Sequence, residues 1–304
     1  MTEHERLIYT NERGESIEFS ASSSFFVNVA NDVTGISDIR NTLYTSSSMG
    51  QHGETYIGEK IEARDIDIKG SINRRDKDKV LELRRYAQKV LNPELSATLT
   101  YIYKDFVRVI DCKVDNAPVF SRKKIYNDFT IQLNCPSPFW REQQEDKKDI
   151  ASWIAAFEFE LEIPEDEGIE FGYREPNVIV DVYNNGDVAT GMRIEFRATG
   201  TLSKPILLNV NTGEYIQVNA EMQAGDSITV NTEYGSKGAV LQRGSSSTDY
   251  FRYIDVDSTF MQLEIGDNVF RYDAESGLDA LEVTIYHSNK CSCTVRKQAT
   301  ENKR

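Results

Sequence analysis

Along most of the chain apolar residues return at every second position, the period of a strand with one buried face, and one stretch alone keeps a helical period. Phe129, Ile131, Leu133 and Cys135 alternate with Thr130, Gln132 and Asn134. That predicts a strand, and Pro136 and Pro138 end it because proline donates nothing to a ladder. Leu99, Tyr101 and Tyr103 share one face, Lys104-Asp105 supplies a turn, and residues 107–114 return, so the pattern predicts a hairpin. Further strands are expected in residues 17–33, through Phe19, Phe25, Phe26, Val27 and Val29, and in 61–72, where Ile66 and Ile68 interleave with Arg64, Asp65, Asp67 and Lys69. The helical exception is 74–91. Val80, Leu83, Ala87, Val90 and Leu91 form one apolar stripe, Asn73 is the expected N-cap, and Asp76 and Asp78 suit the positive end of the dipole. Lys89 suits the negative end, and Asn92-Pro93 stops the helix.

Beyond Asn177 no helical period occurs. Short alternating runs are separated by turn signals such as Asn184-Asn185-Gly186, Thr212-Gly213, Ala224-Gly225-Asp226 and Gly266-Asp267-Asn268. Met192, Ile194, Phe196 and Ala198 face inward against Arg193, Glu195, Arg197 and Thr199, and Leu281, Val283 and Ile285 repeat the pattern. This is the signature of an all-β sandwich. Two stretches fit neither core. Residues 34–58 are rich in Gly, Ser and Thr and are expected to form a long exposed excursion, either a contact arm or a mobile loop. Residues 141–149 are charged and read as a linker, while 154–163 fit either that linker or the start of the next domain. The expected organisation is residues 1–145 as the first domain with the arm at 34–58, 146–176 as a boundary region, and 177–304 as the second domain.

Composition narrows what such a chain does. Its 304 residues suit two domains, and 39% hydrophobic content with 15 Tyr and 14 Phe against 5 Met suits strand-built cores. Acidic residues outnumber basic ones 49 to 35, giving a net charge of −14, which argues against gripping nucleic acid through its phosphates. Residues 1–18 hold Glu3, Glu5, Glu12 and Glu15 without an apolar core, and no uninterrupted apolar run of membrane-spanning length follows, so neither a secretion signal nor a membrane span is expected. Cys112, Cys135, Cys291 and Cys293 lack the paired spacing of a zinc site and read as reduced thiols.

The search for chemistry finds little to build with. The 3 histidines, His4, His52 and His287, lie in the N-terminal tail, the polar excursion and the far end. The acidic run Glu158, Glu160, Glu162, Glu165, Asp166 and Glu167 alternates at first with Phe157, Phe159, Leu161 and Ile163, which reads as a strand with a wet face and lacks the spacing of a calcium loop. No nucleophile elbow, phosphate-binding loop or zinc-helix motif occurs. No catalytic, cofactor-binding or metal-binding residue is assigned, and no cofactor is expected. Trp140 and Trp153 flank the charged stretch, and the second domain beyond Asn177 has no Trp, so a sugar platform there would have to use Tyr or Phe.

Several ordered segments carry a family resemblance. Asn92-Pro93-Glu94-Leu95, the hairpin through Tyr103 to Ile110, and Phe129-Thr130-Ile131-Gln132-Leu133 running into Cys135-Pro136-Ser137-Pro138-Phe139-Trp140 come first. Asn184-Asn185-Gly186-Asp187, Lys204-Pro205-Ile206 to Asn211-Thr212-Gly213, Gly225-Asp226-Ser227-Ile228-Thr229-Val230, and Ser258-Thr259-Phe260 to Gly266-Asp267-Asn268 follow. Each segment alone is turn chemistry, but their succession resembles the distal tail proteins of siphophages over residues 17–286. The ending at Cys135-Pro136-Ser137-Pro138-Phe139 departs from the shorter Asp-Pro ending of many relatives.

The resemblance implies a mainly β protein: an N-terminal β-sandwich-like, ring-forming domain with one α-helix, and a C-terminal galectin-like β-sandwich. It implies a non-enzymatic tail-tip hub, six copies to a ring, made and assembled in the host bacterial cytoplasm. The implied partners are the tail tube protein, a tail-associated hub or lysin protein and receptor-binding proteins, with no membrane and no specific nucleic-acid binding, although DNA passes through the lumen. Saccharide binding by the second sandwich is the alternative function.

Overall fold

The computed structural model describes residues 5–74, 76–122, 127–149, 153–154, 173–174 and 179–292. They divide into two compact units, one from within 1–143 together with 290 onward, the other from within 144–289.

The first unit is a barrel. Its elements in chain order are β1 (Glu5–Asn11), β2 (Ser16–Ser20), β3 (Phe25–Phe26), the single turn α1 (Val29–Asp32), β4 (Val33–Thr34), β5 (Asn41–Ser46), β6 (Thr55–Ile61) and β7 (Arg64–Ile72). The helix α2 (Lys77–Val90) follows, then β8 (Ala97–Tyr103), β9 (Phe106–Arg122), β10 (Asn127–Cys135) and β11 (Trp140–Arg141). Hydrogen bonding runs β10-β7-β3-β2-β1-β8-β9 and closes because β9 also pairs with β10. The 17-residue length of β9 makes closure possible: Phe106–Cys112 pairs with β8, and residues 113–122 pair with β10. Register shifts around Gln132 bend that seam, as bulges do at barrel corners. The sheet expected as sandwich-like is thus closed on itself, a topology that no local pattern encodes.

Inward positions of the barrel strands fill one core. Leu7 and Tyr9 of β1, Phe19, Ile66, Ile68, Leu99 and Leu133 are almost wholly buried, and each such apolar side chain contributes roughly 1.5 to 3 kcal/mol. Phe19, Phe25 and Phe129 form an aromatic triangle with centroids 5.8 to 6.1 Å apart. The helix begins a turn later than the sequence suggests. Asp76, not Asn73, caps it, its carboxylate accepting from the Asp78 N–H at 3.0 Å. Val80, Ala87 and Val90 face the barrel, the Tyr86 hydroxyl donates to the Ser16 carbonyl at 2.9 Å, and Lys89 pairs with Glu15.

The second unit is a two-sheet sandwich. Its elements are β12 (Asp146–Asp149), β13 (Trp153–Ile154), β14 (Tyr173–Arg174), β15 (Ile179–Asn184), β16 (Met192–Ala198), β17 (Leu202–Asn209), β18 (Tyr215–Gln217) and β19 (Glu221–Met222). After them come β20 (Ser227–Asn231), β21 (Gly238–Arg243), β22 (Ser246–Asp249), β23 (Gly266–Ser276) and β24 (Leu281–His287). One sheet has the order β12-β24-β16-β20-β21-β22; the other runs β15-β23-β17-β18, with β19 on β17, and β13 pairs separately with β14. Ile194, Phe196, Val283 and Ile285 from the first sheet meet Leu207, Ile216 and Phe270 from the second. The expected turns carry their own hydrogen bonds. Asn184 accepts from the Gly186 N–H at 2.9 Å and donates to the Val188 and Leu263 carbonyls.

Two features differ from the charge-based division of the chain. Residues 146–149, expected in the boundary region, form β12 and pair with β24, Lys148 opposite Ile285. At the other end β25 (Lys290–Cys291) leaves the second unit and pairs with β11, Trp140 opposite Cys291 and Arg141 opposite Lys290. Charge marks solvent exposure, and an edge strand satisfies that as readily as a linker does. The acidic run of residues 158–167 lies outside the described residues.

Candidate interaction surface

The polar excursion expected at 34–58 is a β-hairpin. Strands β5 and β6 pair from Asn41–Ile61 to Ser46–Thr55, with an irregularity at Tyr44, and belong to no larger sheet. Its turn is built from polar local bonds: Ser48 N–H to the Gln51 side-chain oxygen at 3.1 Å, Gln51 to the Thr55 hydroxyl at 2.9 Å, and Gly50 and Gly53 at positive φ. Thr45 donates to Glu54, and Asn41 donates to Glu59 at 2.8 Å. Lys60 and Thr42 hydrogen-bond the Glu62 carboxyl and hold it below the usual carboxylate range.

What this hairpin lacks is a core. Leu43 is 57% exposed, Tyr56 58%, Ile57 66% and Met49 fully so. Isolated two-stranded hairpins are marginal in water, and grouped exposed apolar side chains mark a contact surface.

The base of the arm, by contrast, is pinned. Arg64, 3% exposed, starts β7, and its guanidinium donates at 2.7 Å to the carbonyls of Gly35, Ile36, Pro138 and Ser292. The Trp140 indole N–H donates to the same Ile36 carbonyl at 3.0 Å. Gly35, at φ +85°, passes so close to β7 that a Cβ would lie 1.9 Å from the Asp65 carbonyl oxygen. One arginine thus joins the root of the arm, the exit from the barrel and the returning chain end. Its place in an alternating strand gives no hint of this, since the four carbonyls come from three distant segments.

The residues weighed for chemistry do not converge. His52 sits exposed near the arm tip and His287 is buried in the second unit with its Nε2 3.8 Å from Asp146; His4 lies outside the described residues. Cys112 and Cys135 are buried in the barrel, where contact with the Cys135 thiol and burial push the Cys112 thiol up, away from nucleophilic or ligating character. Cys291 lies in β25, and Cys293 is outside the described residues. Among the described residues no three His, Cys, Asp or Glu side chains gather as a metal site would require. A cleft of about 440 Å³ beside α2 is lined by Ser24, Arg74, Lys79, Glu82, Leu83 and Tyr86, and Arg74 fills part of its polar edge by donating to the Ser24 hydroxyl at 2.9 Å. No helix among the described residues is long and apolar enough to cross a membrane.

Two domain families match the sequence in this order: a phage tail protein RIFT-related domain over residues 12–135, and the C-terminal domain of the siphovirus-type tail component over 185–290. No curated protein sequence matches the chain. Among solved structures, the SPP1 Dit protein, described as a paradigm of the hub adsorption apparatus in phages infecting Gram-positive bacteria, superposes with a TM-score of 0.66 at 14% identity, over 93% of this chain and 98% of its own. A chain of the phage p2 baseplate, in its activated conformation with strontium, does so with a TM-score of 0.54 at 11% identity, over 95% and 99%. The same baseplate with calcium gives 0.52 at 12%, again over 95% and 99%.

Proposed function

We propose, for a chain that belongs to the siphophage distal tail family and is a component of the virion tail tip, that six copies close into a ring joining the tail tube to the proteins of host adsorption. The carrying observation is the unburied hairpin β5–β6: an apolar surface on a firmly anchored base, within the barrel domain of a tail component. Contacts around a closed ring are heterologous, so one face must meet a different face of the next copy. An arm reaching onto the neighbour meets that demand, either through Leu43, Tyr56 and Ile57 or by adding its free edges to the neighbour's sheet. Each contact should bury on the order of 1,000 Å².

In this reading the protein is structural and non-enzymatic, with no cofactor. One ring face meets the tail tube and the other a tail-associated hub or lysin protein, with receptor-binding proteins near the second unit. The net charge of −14 per copy suits a lumen that DNA traverses without sticking. Light scattering after size exclusion tests the ring directly. Six chains of 34.6 kDa give a particle of about 200 kDa, annular in negative stain. A monomer at all accessible concentrations would overturn self-closure.

A further inference from the structure

On the second unit three aromatic rings form a continuous surface row. Tyr234, in the turn between β20 and β21, is 71% exposed, and Phe251, which opens a 3₁₀ turn after β22, is 48% exposed. The Phe251 ring lies 15° from parallel with that of Phe260, centroids 5.9 Å apart. The Lys237 ammonium stands 4.8 Å from the Tyr234 ring centre and 5.2 Å from that of Phe260, so it bridges the two. It makes no ion pair among the described residues.

The row is held in place from below. Gln262 donates to the Thr232 carbonyl at 2.8 Å and to the Phe260 carbonyl at 3.2 Å, stitching the turn that bears Tyr234 to the segment that bears Phe260. Asp249 accepts from the Phe251 N–H at 2.9 Å and sets a carboxylate at the end of the row. The rings therefore meet a ligand with little ordering left to do.

Size and chemistry decide the occupant. A fully buried ring covers about 150 to 250 Å², so three rings already partly covered offer on the order of a few hundred. That falls short of the roughly 800 Å² per partner of a stable protein interface. The protein's charge of −14 opposes an anionic polymer. A saccharide presents polarised C–H groups on its ring faces, which electron-rich aromatic faces attract, and hydroxyls at its edges, which an ammonium and a carboxylate bind. We propose that Tyr234, Lys237, Phe251 and Phe260 form a binding site for a neutral saccharide, with sugar rings stacked on Tyr234 and Phe251 and hydroxyls held by Lys237 and Asp249. The site belongs to one copy of the chain and stands whether or not the ring forms.

A single shallow site of this kind should bind at about 1 mM, or −4 kcal/mol. Saturation-transfer difference NMR on the full chain with lactose, cellobiose or diacetylchitobiose at a few mM reads it, in monomer or ring alike. At least one of the three should show transfer strongest at its ring-face protons. Tyr234→Ala and Phe251→Ala should each weaken that binding by about tenfold, and Lys237→Ala by several-fold, while Tyr183→Ala, exposed elsewhere in the unit, leaves it unchanged. Unfolding midpoints identical to the parent's would show that the variants remain folded. Transfer to none of the three sugars, or transfer that survives the Tyr234→Ala/Phe251→Ala double substitution, overturns the proposal. So does loss of a polypeptide partner, without any sugar signal, in that double variant.

Discussion

Two hairpins of the first unit have similar chemistry and opposite fates. Strands β8 and β9 place Leu99, Tyr101 and Ile110 in the barrel core, and local alternation, cross-strand pairing and burial all agree. Strands β5 and β6 pair over a comparable length, yet Leu43, Tyr56 and Ile57 meet solvent. Burial orders the first hairpin along its whole length. The second is ordered at its root, by Arg64, Gly35 and Trp140, and beyond the root by its own ladder and exposed polar side-chain bonds. A third case lies in the second unit. There the hairpin of β21 and the exposed β22 is anchored by an ion pair, Arg243 donating to both carboxylate oxygens of Asp226 at 2.8 and 2.6 Å.

The sharpest contrast comes from cutting the same side chain in both first-unit hairpins. Leu99→Ala should cost roughly 2 to 5 kcal/mol in denaturant unfolding, whereas Leu43→Ala should stay within about 0.5 kcal/mol. Equal costs would erase the distinction between the hairpins. Next, Arg64→Leu removes the guanidinium donor from the partly buried carbonyls of Gly35, Pro138 and Ser292, with Ile36 keeping the Trp140 N–H, and should cost about 3 kcal/mol. Hydrogen exchange should rise first at residues 35–36 and at the amides of β25, and uniform loosening would refute the anchoring role.

In the second unit, Asp226→Asn should cost about 1 to 3 kcal/mol and should also remove an acid sensitivity. Hydrogen bonding by Arg243 holds the Asp226 carboxyl below its usual range, so its stabilising contribution is complete above the unfolded carboxylate pKa, near 4. It fades as pH falls through the lower folded value. Between pH 5 and pH 2 the parent should lose more stability than the Asn variant; parallel titration curves would sink this account. The smallest effect on stability is reserved for Leu43→Ser with Ile57→Ser. These exposed changes should leave the unfolding midpoint within about 0.5 kcal/mol while abolishing the ring of about 200 kDa, as light scattering would read.

The same contrast explains what was legible in the sequence. Strands backed by a core were readable because burial and alternation coincide, as at Phe129 to Cys135 and Met192 to Ala198. The helix was readable from its stripe, but its cap was misplaced because Asn73 and Asp76 are equally good acceptors and only the backbone path separates them. In the first strand, Glu5–Asn11, Leu7 and Tyr9 alternate clearly, but the charged residues around them give the segment the composition of an exposed tail. The arm looked like a loop because its polar turn and exposed strands carry no inward face to count. Barrel closure, the Arg64 anchor and the aromatic row all join segments far apart in the chain, and no local pattern records such meetings.

The return of β25 to β11 gives the chain a particular genealogy of possibilities. Because Arg141 lies opposite Lys290, the strand that leaves the barrel and the strand that re-enters it are immediate neighbours. Topologically the second unit is then a graft set into one edge of the barrel rather than a tail trailing from it. Any folded module whose own ends lie side by side could be spliced into that slot without rethreading the barrel. A lineage could therefore exchange its second unit wholesale while keeping an unaltered barrel.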